Sequence, residues 1–424
     1  MAQYSNKERL IAKILSDMPL LKSAIKYLYS LLCSLVYRKP YRIKVLTTRT
    51  NIKRVQNEGR EDFGGYYDHS TIGGDYVLTL IPKTDTTESV PQTPCADITA
   101  VNLMNGTATS LAEANAFNWQ QGNRLMWIDS KHFVYNGFNR ETSSYTTRLF
   151  SIEENRITNE YPMPVQDSYK DEYFISLNVE RISTLHEEYG YSNKPHLDKS
   201  TIANMEKDGI WMTDYKTAET KLILSLYDVV NCKKNKLFDK ARHFVNHLMV
   251  SPDGQSMIFI HRCFEGGRRH DRLMIYDFNS LDVVAEEDYV SHCHWVTPST
   301  IIGYLRHNGK NAYYLYDTQK KSFREIETLS SLGIGDGHPT CYKDWVIVDS
   351  YPDKSRMQHL VAYNLKTDKA YPLLELYHPM KYYGKNRCDL HPRFSETGEY
   401  ITFDSVHDGK RHQYILDFKT FAEQ

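Results

Sequence analysis

Four histidines stand at nearly regular intervals in the second half of the chain. They are His247, His292, His338 and His391, separated by 45, 46 and 53 residues. Two of them open almost the same phrase. HLMVSPDGQSMIFIH (247–261) and HPRFSETGEYITFDS (391–405) each place a His four residues before a Ser, then a turn, then an apolar run. A neutral imidazole is a good ligand for a divalent transition metal and a base near neutral pH. Three or four converging imidazoles suit Zn²⁺ or Mn²⁺. Asp336 and Asp389 lie close in sequence to two of the histidines, and a carboxylate there either orients an imidazole or ligates directly. Cys293, His294 and Cys388 are further donors nearby and leave the ligand set open. The plainer alternative is that each histidine bonds to the backbone of a neighbouring repeat and serves only the fold.

Convergence requires a fold that brings equivalent positions to one place. From Tyr41 onward short β-type runs dominate, among them YVLTLI, HFVYNGF, YFISLNV and KLILSLY. Turn signals such as GG, PDG, HNGK and ETGEY separate them. Later units end a third strand in Asp or Asn, as in LMIYDF, AYYLYDT, HLVAYNL and HQYILDF. The histidine spacing matches the blade period of a β-propeller, and about 380 residues at roughly 50 per blade give seven or eight blades, of which we take seven. The reading is all-β: a helical segment over 1–40, then a seven-bladed β-propeller over 41–424. In a propeller, equivalent positions of successive blades face one central channel, so the four histidines meet there. An early strand near YRIKVLT (41–47) is expected to pair with the last one, closing the ring and removing its free edges.

Composition narrows the function classes. Lys plus Arg number 52 and Asp plus Glu 53, so no basic excess points to nucleic acid. Hydrophobic content is 41% and aromatic content 12%, with 32 Tyr, which suits a β-rich globular protein. Rings with polar tips also suit the faces of sugars. Seven cysteines, an odd number without a CxxC pair, favour a reducing compartment and a cytoplasmic location. No signal peptide is expected, because Lys7, Glu8, Arg9, Lys13 and Asp17 interrupt the first residues. Ser5 and Glu8 fit a capping box, and apolar residues from Leu10 to Leu35 recur at helical spacing, predicting one or two amphipathic helices over roughly 6–37. Lys22 and Lys26 make this segment too interrupted to span a membrane. It either packs on the main domain or lies peripherally on the inner membrane, with Lys22, Lys26, Arg38 and Lys39 at the headgroups.

Several phrases resemble the successive blade signatures of one bacterial propeller group. They are FGGYYDHS (63–70), NWQQGNRLMW (118–127), SLNVERISTLHEEYGY (176–191), RHFVNHLMVSPDGQSMIFIHR (242–262), SHCHW (291–295), DGHPT (336–340) with VDSYPD (348–353), and RCDLHPRFS (387–395). The group is similar to oligogalacturonate lyases and propeller-type ulvan lyases and occurs among surface-polysaccharide proteins. The resemblance implies a metal-dependent β-elimination from a uronate-containing polysaccharide or oligosaccharide. In that scheme His247 matches the base, and His292, His338 and His391 match the metal-bearing blade starts. Arg181 and Arg262 are candidates for a carboxylate clamp, since guanidinium binds carboxylate bidentately. Tyr191 or Tyr66 would supply a phenolic acid. Tyr66, Asn118, Gln120 and Gln121 are candidate substrate-binding residues, the last three reading equally as bonds between blades. Two departures stand out: His69 replaces the group's Lys, and the PDG turn becomes YKD at 342–344 and ETG at 396–398. The competing reading is a non-catalytic propeller that binds a glycan or an assembly partner. A glycosyltransferase role ranks below both, because no nucleotide-binding glycine loop follows a strand.

Overall fold

The structure, a computed structural model, describes residues 19–47, 50–56 and 59–423. Seven antiparallel sheets follow one another in chain order. Blades 1 to 7 span 72–114, 126–161, 165–225, 242–285, 290–325, 340–377 and 393–417. The seven-bladed propeller expected from the histidine spacing is the fold observed. The inner and middle strands are apolar on both faces because each sheet is sandwiched between its neighbours. Every residue of Arg242–Val250 except Arg242 is buried. Contacts between sheets form the core, the largest part of which joins Ile175, Phe259, Trp295 and their neighbours across blades 3 to 5. Polar ties add register between blades; the Trp295 indole N–H donates to the Met249 carbonyl at 3.1 Å.

An early strand closes the ring on the last one, as expected, but it is not the one within YRIKVLT. The strand within YRIKVLT, β1 (Ile43–Val45), does not meet the last blade. It pairs antiparallel with Lys369–Tyr377 as a fifth, outermost strand of blade 6. The ring is closed by β2 (Ile52–Arg54), which pairs with His412–Asp417 and completes blade 7 from the N-terminal side. Asp62 reinforces this seam, accepting from the His412 ring at 2.7 Å and from the Gln413 backbone N–H at 3.2 Å.

Before the ring lies a helix, Pro19–Val36. The expected helix start at Ser5 and Glu8 falls outside the described residues. Blade 3 carries an insertion between its second and third strands, with a helix Val179–Leu185, a turn Glu187–Tyr189 and a helix Lys199–Ala203. Asn178 caps the first of these, accepting the Arg181 N–H at 3.0 Å. This insertion brings Tyr189 to the histidines.

Candidate metal centre

Each of the four histidines sits where the innermost strand of its blade starts or bulges. His247 falls in the register shift between Asn246 and Met249, and His292 in that between Val290 and Cys293. His338 and His391 stand two residues before the strands Thr340–Tyr342 and Arg393–Phe394. Bulges re-aim side chains out of the ladder. His247 and His391 have φ of 52° and 44°, a left-handed conformation that costs a residue with a Cβ about 1–2 kcal/mol. Such conformations persist where the surroundings over-determine them.

The result is one row of imidazoles from four successive blades. Ring centroids are 5.4 Å apart from His247 to His292, 3.9 Å from His292 to His338 and 4.3 Å from His338 to His391. All four are buried. Each Nδ1 is engaged. That of His247 meets the Tyr66 hydroxyl at 2.8 Å, and that of His292 meets Ser291 Oγ at 3.1 Å and Asp336 at 3.4 Å. His338 Nδ1 meets Asp349 at 2.9 Å, and His391 Nδ1 donates to the Gly65 carbonyl at 3.1 Å. The Nε2 atoms of His247, His338 and His391 are buried without a hydrogen-bond partner, as is Asp389 Oδ1. A buried polar atom left unpaired is costly. Several on neighbouring residues point to a ligand held between them.

His338, Asp389 and His391 present donor atoms within 4.8 Å of one another, so they could hold one metal ion. Two imidazoles and a carboxylate fit a divalent cation such as Mn²⁺ or Zn²⁺. Outer-shell partners that fix the tautomer are the usual company of such ligands, and here they are present. Asp349 serves two blades at once. It accepts from the His338 ring and backbone N–H and from the His391 backbone N–H at 3.0 Å. Gly337 permits this, because a Cβ there would lie 1.9 Å from the Asp349 carbonyl oxygen. His292 packs its ring on His338 but is outside the compact three-residue set, whose carboxylate comes from Asp389.

Tyr66 stands among the histidines, with ring centroids 5.4 Å from His247 and 4.9 Å from His391. Two glycines deliver it. The Gly64 and Gly65 N–H groups donate to Asp404 at 2.8 and 3.3 Å, and Gly65 takes a φ of 102°. A Cβ at Gly64 would strike the Arg393 guanidinium at 2.7 Å. Burial drives the Tyr66 phenol well above its ordinary pKa, so it stays protonated. Burial, then the nearby Arg262, holds His247 well below the ordinary histidine value, so it stays neutral. His391 is likewise lowered by burial. For His338 burial opposes protonation, but the charge and hydrogen bond of Asp349 outweigh it and raise the pKa.

Cations gather beside this row. Arg262 is buried near Asp271, 3.5 Å away, and its Nε has no hydrogen-bond partner. Arg387 donates to Asp389 at 2.8 Å and to Glu188 at 3.0 Å, with its guanidinium 5.3 Å over the Tyr351 ring. Tyr189 from the blade 3 insertion closes over His247 at 5.3 Å. Arg387, Tyr189, Tyr351 and Asp349 carry no repeat signal of their own, and only the fold assembles them.

The other expected site residues lie elsewhere. Arg181 is a structural arginine. Its Nε is paired with Asp208, Nη1 donates to the carbonyls of Ile202 and His243, and Nη2 to those of Thr201 and Asn204. All five guanidinium donors are used, so none is left for a substrate carboxylate. Tyr191 packs on Tyr145 and its hydroxyl accepts from Asn136 at 2.9 Å, away from the histidine rings. Burial pushes its phenol up to about 12. Asn118 shapes a tight turn, accepting the N–H groups of Gln120 and Gln121 at 3.0 and 2.7 Å. Gln120 Nε2 donates to the Arg387 carbonyl at 3.1 Å, and the Gln121 backbone packs on Gly65. Gln120 and Gln121 thus join neighbouring parts of the ring, Asn118 shapes their turn, and Asn118 Nδ2 and Gln120 Oε1 have no hydrogen-bond partner. Asn118 also lines, with Trp119, Glu188, Tyr191 and Lys194, a cleft of about 420 Å³.

No protein-family model matches the chain, and no curated protein sequence does. Solved structures do. An oligogalacturonate lyase from Vibrio parahaemolyticus superposes with a TM-score of 0.58 at 13% identity, covering 88% of this chain and 96% of that one. An oligogalacturonate lyase in complex with manganese gives 0.57 at 16% identity, covering 89% and 97%. At this identity the likeness establishes the seven-bladed architecture over nearly the full length of both. The blade phrases quoted above resemble the same group, and the structural likeness agrees with them.

Proposed function

We propose that the histidine row is a metal-dependent site that cleaves a uronate-containing oligosaccharide or polysaccharide by β-elimination. One observation carries this reading: the unpartnered Nε2 atoms of His247, His338 and His391 with Asp389 Oδ1, beside Tyr66 and Arg262. The manganese bound in the similarly folded lyase supports it. His338, Asp389 and His391 would hold the cation. A divalent cation held there would set positive charge against the uronate carboxylate, which acidifies the neighbouring C–H. His247, neutral and with its Nδ1–H donating to the Tyr66 oxygen, presents the Nε2 lone pair as the base for that proton. The glycosidic C–O bond then breaks as the C=C bond forms. The leaving oxygen takes a proton from Tyr66, which is kept protonated by burial. Arg262 and Arg387 are the cations placed to face the carboxylate. All seven cysteines are free thiols, which suits action in the cytoplasm, during assembly or turnover of a surface glycan.

A second reading has its own support. The row is nearly sealed, with His338 and His391 only 1% and 2% exposed. The Glu188–Arg387 and Glu187–Lys385 ion pairs tie the blade 3 insertion to the connection before blade 7. That arrangement suits a binding propeller with a structural metal. Incubating the Mn²⁺-loaded chain with polygalacturonate and other uronate glycans separates the two. A rise in ultraviolet absorbance from an unsaturated uronate, abolished in His247→Ala, supports the lyase. Stoichiometric metal with no product from any uronate glycan replaces it with the binding propeller.

A further inference from the structure

The helix Pro19–Val36 is turned inside out. A surface helix normally sets its apolar stripe on the body it covers and its polar face in water. Among the helix residues whose side chains are described, only Cys33 and Ser34 are buried, 8% and 9% exposed. Six of the described aliphatic residues point away: Leu28, Leu32, Leu35 and Val36 are 56%, 62%, 64% and 76% exposed, and Leu21 and Ile25 are also exposed, while Leu31 is half-buried. At 3.6 residues per turn these six fall within an arc of roughly 100°, a continuous stripe along the helix. The strand β1 also exposes apolar side chains, with Ile43 and Val45 at 38% and 45%. A contiguous apolar surface of this kind marks an interaction site.

Charge identifies what covers it. Residues 19–57 contain nine Lys or Arg and no Asp or Glu, in a chain whose net charge is −1. Arg38 and Lys39 follow the stripe directly and are exposed. Aliphatic side chains on one face, in a stretch of sequence that carries cations and no acidic residue, match a bilayer interface that offers acyl chains beneath anionic headgroups. No helix among the described residues is long and apolar enough to cross a membrane, so the contact lies in the plane of the surface. The helix is also tied to the candidate site. Tyr27 packs edge-on against Tyr383 at 5.2 Å, and Tyr383 caps the turn Gly384–Asn386 that leads into Arg387 and Asp389.

We infer that Pro19–Val36 and the basic segment after it form a docking surface for an anionic lipid bilayer, holding the Arg387 side of the ring next to that surface. This inference stands whether the metal site is catalytic or structural. Co-sedimentation of the full chain with vesicles tests it. The chain is expected to pellet with mixed phosphatidylglycerol and phosphatidylcholine vesicles at physiological salt, and not with phosphatidylcholine alone. Leu28→Glu/Leu32→Glu should lower vesicle affinity at least about tenfold with an unchanged thermal melt, since both side chains already face solvent. Arg38→Glu/Lys39→Glu should weaken it by roughly tenfold and flatten its salt dependence. Equal pelleting with neutral and anionic vesicles overturns the inference. So does a wild-type dimer that the leucine variant makes monomeric while neither binds vesicles. A failure to pellet with any vesicle, with the stripe masked by another part of the chain, overturns it too.

Discussion

The four imidazoles of the row are alike in sequence, and what separates their roles is the atom that each Nδ1 meets. Asp349 fixes His338, the Gly65 carbonyl fixes His391, and Tyr66 meets His247. On that basis His338→Ala/His391→Ala should lose bound divalent metal, read as metal per chain by elemental analysis. His247→Gln should keep the metal and lose at least about 100-fold in turnover, the usual worth of a general base. The two arginines proposed as clamps divide in the same way. Removing Arg181 strips Asp208 of its cation and four carbonyls of a donor, and breaking a buried pair from one side costs about 3–5 kcal/mol. Arg181→Met should therefore lower the urea midpoint sharply, while Arg262→Lys, which keeps a cation beside Asp271, should reduce kcat/KM far more than stability. In the sequence these two residues are indistinguishable: each is an Arg within a blade phrase, with nothing there to mark its partners. The acceptors of Arg181 are carbonyls near Thr201 and at His243, positions that only the insertion of blade 3 brings together. The histidines were legible because their recurrence encodes the ring itself. Arg387 and Asp349 were not, because each acts between blades and repeats nowhere.

At the scale of elements, the blade starts do the positioning, and their precision depends on close backbone approach. Gly337 precedes His338, and its missing Cβ admits the Asp349 carbonyl. Gly337→Ala must push that strand aside, and with it the carboxylate that holds both His338 and His391. The expected result is a loss in metal affinity of about 10- to 100-fold, the range for disrupted outer-shell partners, measured by titration calorimetry with Mn²⁺. The fold should survive, since β-strand pairing of Thr340–Tyr342 begins beyond the change. Ring closure shows the limit of reading elements locally. YRIKVLT and the later NIKR (51–54) are both short, basic and β-branched, so either fits an outer strand. Which edge each one meets is decided by distant partners: Leu374 to Leu376 for β1, and Tyr414 to Leu416 for β2. Blade number survives that ambiguity because it is set by repeat length, whereas the identity of the closing strand is set by a single long-range pairing.

For the molecule as a whole, the same burial that readies His247 makes the ring sensitive to acid. Away from the metal ligands, blade 4 holds a chain of directional bonds among neutral histidines. Arg272 Nε donates to His261 Nδ1 at 3.1 Å. That leaves His261 Nε2–H to donate to His243 Nδ1 at 3.0 Å, and His243 Nε2–H to donate to the Phe238 carbonyl at 2.9 Å. Arg272 is always a donor, so it fixes both tautomers, and neither ring can accept a proton without breaking a link. Burial accordingly lowers His243 to about 4 from 6.5, drives His261 well below that ordinary value, and lowers His407 in blade 7 to about 4. For a histidine whose pKa is depressed on folding, the unfolded chain binds the proton first. Stability is therefore full above about pH 6.5 and drains away as pH falls toward 4. At about 1.4 kcal/mol per pKa unit, His243 and His407 each account for roughly 3 kcal/mol over that window. His338, raised by Asp349, acts in the opposite sense: the stability it contributes is full below about pH 6.5 and is lost as pH rises through its folded value. Thermal melts in the presence of EDTA should fall steeply between pH 6.5 and 4. His407→Gln removes one titrating group and should make that slope shallower, and a slope unchanged by the substitution would show that His407 is not held neutral in the folded ring.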